Sequence, residues 1–191
     1  SSAAVYGDIP TLPLKEDMAP RPKSPYAVDK LSAEHYCEVF RNVYNFPSVC
    51  LRCFNIYGPR QDPTSEYAAA IPKFIQLARE GKPVVIFGDG KQTRDYVYIK
   101  DVIEANLLAL KSEAGGIYNI SGGKSIKIND LAALIIKLTG NKSGITYEKS
   151  RPGDILYSLA DISKAATFGW RPRHTIEEGL AETIRYFNGN R

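Results

Sequence analysis

Ser24-Pro25-Tyr26-Ala27-Val28-Asp29-Lys30-Leu31-Ser32-Ala33-Glu34 is the stretch that decides the fold of this chain. Pro25 suits the first turn of a helix, and the alanines and Leu31 favour its continuation. A helix is therefore expected from Pro25 to Tyr44. On it Tyr26 and Lys30 share one face, with Cβ atoms about 6 Å apart. A tyrosine serves as a proton-transfer base near neutral pH only where its surroundings favour phenolate, by roughly 3–5 kcal/mol, and a neighbouring cation does this. The spacing by itself decides little. Tyr96 and Lys100 repeat it in Arg94-Asp95-Tyr96-Val97-Tyr98-Ile99-Lys100. That run reads as a strand, in which four residues span about 13 Å, too far for the ammonium to reach the phenol.

Outward from the helix, strands and helices alternate. Ser1–Tyr6 reads as the end of a buried strand, followed by a proline-rich loop. Ser48–Phe54 is β-rich, and Gly58-Pro59 breaks the chain into a loop. Residues 66–80 carry helical periodicity that Pro72 should kink or delay. Val84–Phe87 is a strand closed by the turn Gly88-Asp89-Gly90. Arg94–Ile99 is a strand leading to a helix capped by Asp101. Ile117–Ile120 and Ile145–Glu148 are strands, with a helix between them from Asn129 or Asp130 to Gly140. Asp161 caps a short helix ending before Gly169, and Thr175–Phe187 is a final amphipathic helix. The pattern is α/β.

Composition narrows the class. At 191 residues, with 43% hydrophobic and 24% charged content, the chain has the make-up of a globular domain able to bury a sizeable core. The net charge of +4 is spread along the sequence without a basic block, which argues against a nucleic-acid partner. No apolar run is long enough to span a membrane, and no leader is visible. Cys50-Leu51-Arg52-Cys53 has the spacing of a metal or redox pair, but residues i and i+3 of a strand point to opposite faces. Reduced thiols in a cytoplasmic protein are the expected state of the three cysteines. Ser121-Gly122-Gly123-Lys124-Ser125 falls short of a phosphate loop, because Tyr118 stands where that loop needs glycine. His35 and His174 read as structural.

Several further motifs stand in order: Ser-Ala-Ala-Val-Tyr-Gly (2–7), Ser-Pro-Tyr-x-x-x-Lys (24–30) and Leu-Arg-Cys-Phe-Asn-Ile-Tyr-Gly-Pro-Arg (51–60) come first. Ile-Phe-Gly-Asp-Gly (86–90), Thr-Arg-Asp-Tyr-Val (93–97), Tyr-Asn-Ile-Ser-Gly-Gly (118–123) and Arg-Pro-Gly-Asp (151–154) follow. Taken together, the chain resembles the carboxy-terminal part of an extended short-chain dehydrogenase/reductase of the UDP-glucose 4-epimerase type. No Gly-rich dinucleotide loop occurs, so the resemblance implies a partial Rossmann-like parallel sheet lacking its cofactor half, plus a smaller α/β substrate lobe. Residues 1–65 would be the trailing Rossmann part, and 66–191 mainly the substrate lobe interleaved with returning Rossmann elements.

The resemblance also implies chemistry: transient oxidation at C4 of a UDP-hexose with tightly bound NAD. Tyr26 would be the base, Lys30 the cation that also meets the nicotinamide ribose, and Ser2 the residue positioning the hydroxyl. Phe54 would lie near the nicotinamide. Arg94 and Arg151 would clamp the diphosphate, Asn55 would donate to the diphosphate or sugar, and Val85–Phe87 would line the uracil slot. Asp154 would hold a ribose hydroxyl or orient Arg151. Ser158, if the register with the family holds, leaves room for an N-acetyl group; a slip onto Tyr157 reverses that. Ala3 and Ala4 stand where dehydratases and decarboxylases of the family carry acids, which favours epimerisation over those alternatives. A reductase, or a non-catalytic nucleotide-sugar-binding fragment, is a further reading. The resemblance also implies a homodimer through the Tyr26 helix, although Ala33, Tyr36, Cys37, Phe40 and Tyr44 could equally face the core.

Overall fold

The computed structural model describes residues 1–64, 69–151 and 155–189. It is a mixed α/β fold in which parallel pairing dominates. Helix α1 runs Pro25–Tyr44, started by Ser24, whose Oγ accepts the Ala27 N–H at 3.2 Å, and stopped by Asn45 at φ 52°. Strand β1 (Val49–Cys53) pairs in parallel with β5 (Gly116–Ile120). Strand β2 (Asn55–Tyr57) lies parallel to β4 (Thr93–Tyr98), which pairs antiparallel with β6 (Ser125–Lys127). Strand β3 (Val84–Phe87) lies parallel to β7 (Ile145–Glu148). The remaining helices are α2 (Ala70–Arg79), α3 (Ile99–Lys111), α4 (Ile128–Thr139) and α5 (Ile176–Gly189).

Three apolar clusters hold these elements. The largest joins α2, α4 and α5 to β3 and β4 through Ile71, Ile75, Ile86, Tyr98, Leu131, Ile135 and Leu180, all buried. A second packs α3 and the returning strand β5 on β1 and closes on Trp170, whose Nε1 donates to the Asp101 carbonyl at 2.9 Å. The third, around Val5, Tyr6, Leu14, Phe54 and Ala160, joins the amino-terminal segment to the 155–162 region.

The structure departs from expectation in a few elements. The segment 1–6 is not a continuous strand: Ser2 makes a single parallel bridge to Cys53, and Ala3–Tyr6 winds into a 3-10 turn with Ser2 accepting from Ala4 N–H. Strands β2 and β6 were unexpected, each being only three residues long and too short to show a period. Asp101 does not cap α3. Strand β4 runs straight into that helix, so the cap falls on Tyr98 and Asp101 lies in the first turn. Its carboxylate instead accepts the Arg173 and His174 N–H groups, both at 3.2 Å, and pairs with His174 Nδ1 at 2.8 Å. Helix α4 starts at Ile128, just before either expected residue. Pro72 sits in the first turn of α2, where no intrahelical donor is required, and so delays rather than kinks it. Lys100 belongs to α3, where it pairs with Glu182.

Candidate active site

Two adjoining cavities open beside β2 and β4. The larger, of about 480 Å³, is lined by Asn55, Phe87, Arg94 and Arg151 together with Val85 and Lys73. The smaller, of about 190 Å³, is lined by Ser2, Ala3, Ala4, Phe54, Tyr157 and Ser158. Asn55 and Arg94 line both, so the two cavities adjoin at these side chains. Most of the expected substrate-side residues therefore meet, although they come from distant parts of the sequence.

Local geometry sets what each can do. The Arg151 guanidinium lies over the Phe87 ring, 3.8 Å from its centre. Arg94 donates to the Thr93 carbonyl at 2.9 Å, which orients its fork within the junction. Asn55 Nδ2 donates to the Asp95 carbonyl at 2.7 Å, so part of its amide is already engaged in tying β2 to β4. The expected slot needs one correction: Val85 and Phe87 face the cleft, but Ile86 is fully buried in the core, as strand alternation requires. Ser2 accepts from Ala4 N–H at 3.2 Å, which keeps its own hydroxyl proton for donation. Ala3 and Ala4 line the cavity and have no side-chain group able to move a proton. Asp154 lies outside the described residues.

Beneath the cleft, Asp95 is fully buried. Its Oδ2 accepts the Ala160 N–H at 3.0 Å, while Oδ1 finds no well-aligned donor. Burial pushes its pKa up to about 6, against the pull of Ala160 N–H, Ser121 and the backbone of Lys124 and Gly123. The carboxylate thus underlies both the Arg94 strand and the turn after β5.

Tyr26 and Lys30 lie on α1 as the helix spacing predicts, with Lys30 Nζ 5.4 Å from the Tyr26 ring centre. Tyr26 is 54% exposed, and the pair stands outside the lining of both cavities. The Ala33, Tyr36, Phe40 and Tyr44 stripe is on the surface, not in the core; only Ala27 and Glu34 of this helix are buried. Cys53 packs towards α3, whereas Cys50 faces Cys37 of α1, and burial followed by that neighbour pushes the Cys50 thiol up to about 12. Among the described residues no cluster suited to a metal occurs, and no helix is long and apolar enough to cross a membrane.

Lys73, Gln92 and Glu148 also line the larger cavity and were not anticipated. A signal for Lys73 existed: Ala70, Lys73, Phe74 and Leu77 form one helical face, and all four line the cavity. Gln92 is held by its own donation to the Phe87 carbonyl at 2.7 Å.

A family described as "NAD dependent epimerase/dehydratase family" matches residues 1–121. The chain belongs to that family. The UDP-glucose 4-epimerase of Mycolicibacterium smegmatis is 35% identical over 98% of this chain and 60% of its own length. A solved UDP-N-acetylglucosamine 4-epimerase from Methanobrevibacter ruminantium, in complex with UDP-N-acetylmuramic acid, is 44% identical with a TM-score of 0.97, over 100% of this chain and 62% of that one. The UDP-glucuronic acid 4-epimerase from Bacillus cereus, solved with UDP-glucuronic acid and NAD, is 38% identical with a TM-score of 0.89, over 99% and 60%. The chain spans 62% and 60% of the length of two curated relatives it matches.

Proposed function

We propose that this chain is the substrate-side part of an NAD-dependent UDP-hexose 4-epimerase. The observation that carries the reading is the pair of cavities adjoining at Asn55 and Arg94. One end offers two guanidinium groups and an aromatic wall, suited to a nucleoside diphosphate. The other end is small, faced by a serine hydroxyl, and free of acids at Ala3 and Ala4. In this reading residues 1–65, with the returning β5, supply the trailing Rossmann part, and most of 66–191 supplies the substrate lobe.

Arg94 and Arg151 hold the diphosphate, Val85 and Phe87 flank the uracil, and Asn55 directs its remaining hydrogen-bonding capacity at the phosphate or sugar. Asp154 assists at the ribose or orients Arg151. Ser2 donates to the C4 oxygen and fixes it, and Tyr26 takes the C4 hydroxyl proton and later returns it. The side chains present fit the cofactor: an exposed phenol with an ammonium beside its ring leaves both groups open to a ribose, and Phe54 offers an aromatic face. Tyr26, Lys30 and Phe54 would hold NAD, which when bound supplies the reversible oxidation at C4. Positioning is the main contribution of such a site.

Ser158 leaves the sugar end open to an N-acetyl group, so UDP-N-acetylhexoses are included among the substrates. The exposed aromatic stripe of α1 is read as the contact of a homodimer, and the protein as cytoplasmic. Dehydratase or decarboxylase chemistry is disfavoured because the methyl groups of Ala3 and Ala4 cannot move protons.

The test is a calorimetric titration with UDP, GDP and dTDP, followed by NAD with UDP-galactose and product analysis. Selective UDP binding and formation of UDP-glucose support the reading. Equal binding of all three nucleotides, or a 4-keto-6-deoxy product, overturns it.

A further inference from the structure

The helix stripe that carries Tyr26 and Lys30 continues to Glu34, one more step of four residues along the same face. Glu34 is almost fully buried, unlike Tyr26 at the start of the stripe. Both of its oxygens are taken by Arg52 of β1: Nε to Oε1 at 2.8 Å and Nη2 to Oε2 at 2.7 Å. Ser1 Oγ donates to the same Oε1.

Arg52 reaches further. Its guanidinium stacks over Tyr6, 4.7 Å from the ring centre, and Nη1 points to the Glu16 carbonyl at 3.4 Å. Tyr6 donates to Asn119 Oδ1 at 2.7 Å. Asn119 Nδ2 then donates to the carbonyls of Leu14, at 2.9 Å, and Asp161, at 3.2 Å. Leu14 is in turn stitched to the segment that bears Ser158, with its N–H on the Leu159 carbonyl and its carbonyl on the Asp161 N–H, both at 2.8 Å.

A buried, bidentate pair is an expensive way to gain stability, because two charges are stripped of water. Such pairs are better suited to fixing geometry, and the planar fork of arginine allows one register where a lysine would allow many. Here the fork joins four stretches: the one after Ser2, the helix of Tyr26 and Lys30, the strand leading into Phe54 and Asn55, and the loop of Ser158.

We propose that Arg52 is a positioning residue, which through Glu34 and Tyr6 holds the Tyr26–Lys30 stripe in register with the Ser2 and Ser158 segments. This rests on the epimerase reading above. Arg52 touches neither cavity and acts only through its partners.

The experiment compares Arg52→Lys with the unaltered full-length protein and NAD. Arg52→Lys keeps the charge but loses the fork; the double variant Glu34→Gln/Arg52→Met, which removes both charges, is the second form and keeps the test readable if the first fails to fold. For each, kcat should fall by about tenfold or more while KM for the UDP-hexose and UDP affinity stay within about twofold. A lowered melting temperature with unchanged kcat would mean that the pair only stabilises the fold, and would overturn the proposal. The epimerase reading fails separately, if the unaltered protein converts no UDP-hexose. Amide NMR then decides for Arg52: movement of the Ser2, Tyr26 and Lys30 resonances in Arg52→Lys upholds the linkage, and unmoved resonances refute it.

Discussion

The central carbon of the Arg151 guanidinium sits 3.8 Å from the centre of the Phe87 ring. The ring holds an otherwise mobile cation at the cleft wall by an attraction of about 0.5–2 kcal/mol. A guanidinium stacked on a ring directs its N–H donors outward from the ring edge, and in the proposed function those of Arg151 meet phosphate oxygens. The arrangement resolves how a side chain with no buried anchor can still present a defined binding edge.

Replacing either partner should therefore weaken nucleotide binding. Phe87→Ala and Arg151→Lys are each expected to raise the UDP dissociation constant by about three- to thirtyfold. The double variant should lose less than the sum, because both remove the same contact. Titration calorimetry on the three variants gives the coupling, and strict additivity would show that stacking contributes nothing to binding.

Ser158 is buried, in the same small cavity as Ala3 and Ala4. A tyrosine there should fill space that an acetamido group needs. Ser158→Tyr is expected to keep turnover of UDP-galactose and to lower kcat/KM for UDP-N-acetylgalactosamine by about a hundredfold. Parallel loss of both substrates would place Ser158 elsewhere in the mechanism.

Asp95 predicts a pH signature. Its carboxyl holds its proton more tightly in the fold, at about 6, than the ordinary 3.8. The folded state thus binds more protons than the unfolded one between these values, so this group's contribution to stability falls as pH rises through that window. The change amounts to roughly 3 kcal/mol. Chemical denaturation of the protein and of Asp95→Asn from pH 4 to 7 should show the difference between their stabilities varying by that order. A pH-independent difference would mean that Asp95 titrates normally.

A close approach sets the turn after β5. A Cβ on Gly122 would sit 2.5 Å from the Tyr96 carbonyl oxygen, a backbone atom that cannot step aside. Gly122→Ala should destabilise by about 1–3 kcal/mol. Gly144, with nothing within 4 Å, is the control, and Gly144→Ala should stay within about 0.5 kcal/mol. Thermal melts of the two variants settle the contrast.

The face of α1 makes the last prediction. Tyr36, Phe40 and Tyr44 are 68%, 48% and 67% exposed, and a large exposed apolar patch marks an interaction surface. Sedimentation of the full-length protein should give a dimer, and Phe40→Glu should give a monomer of unchanged circular dichroism. A monomer before substitution removes the dimer from the proposal.

Much of this was legible in the sequence because the signals were local. Pro25 and the i, i+4 spacing delimited α1, alternation located β4, and short β-prone runs located β3 and β7. The cleft residues Arg94, Arg151, Asn55 and Ser158 could be named only through the family resemblance. No local signal says that 2–4, 85–94 and 155–158 converge. Sequence reading missed β2 and β6 because three residues carry no period. It misassigned Asp101 because the groups it satisfies lie more than seventy residues away, on Arg173 and His174. Lys73 escaped because a lysine at one edge of an apolar helix face looks like a solvated one.

The cleft is assembled from stretches far apart in the sequence, among them 2–4, 53–55, 69–77, 85–96 and 155–158. No peptide cut from it retains the constellation, and opening any one stretch dismantles the whole. A ligand held there is consequently linked to the cooperative unit rather than to a loop. At a hundred times its dissociation constant it would add about 2.7 kcal/mol to the free energy of global unfolding. Slowed amide exchange would then extend to core strands far from the ligand itself.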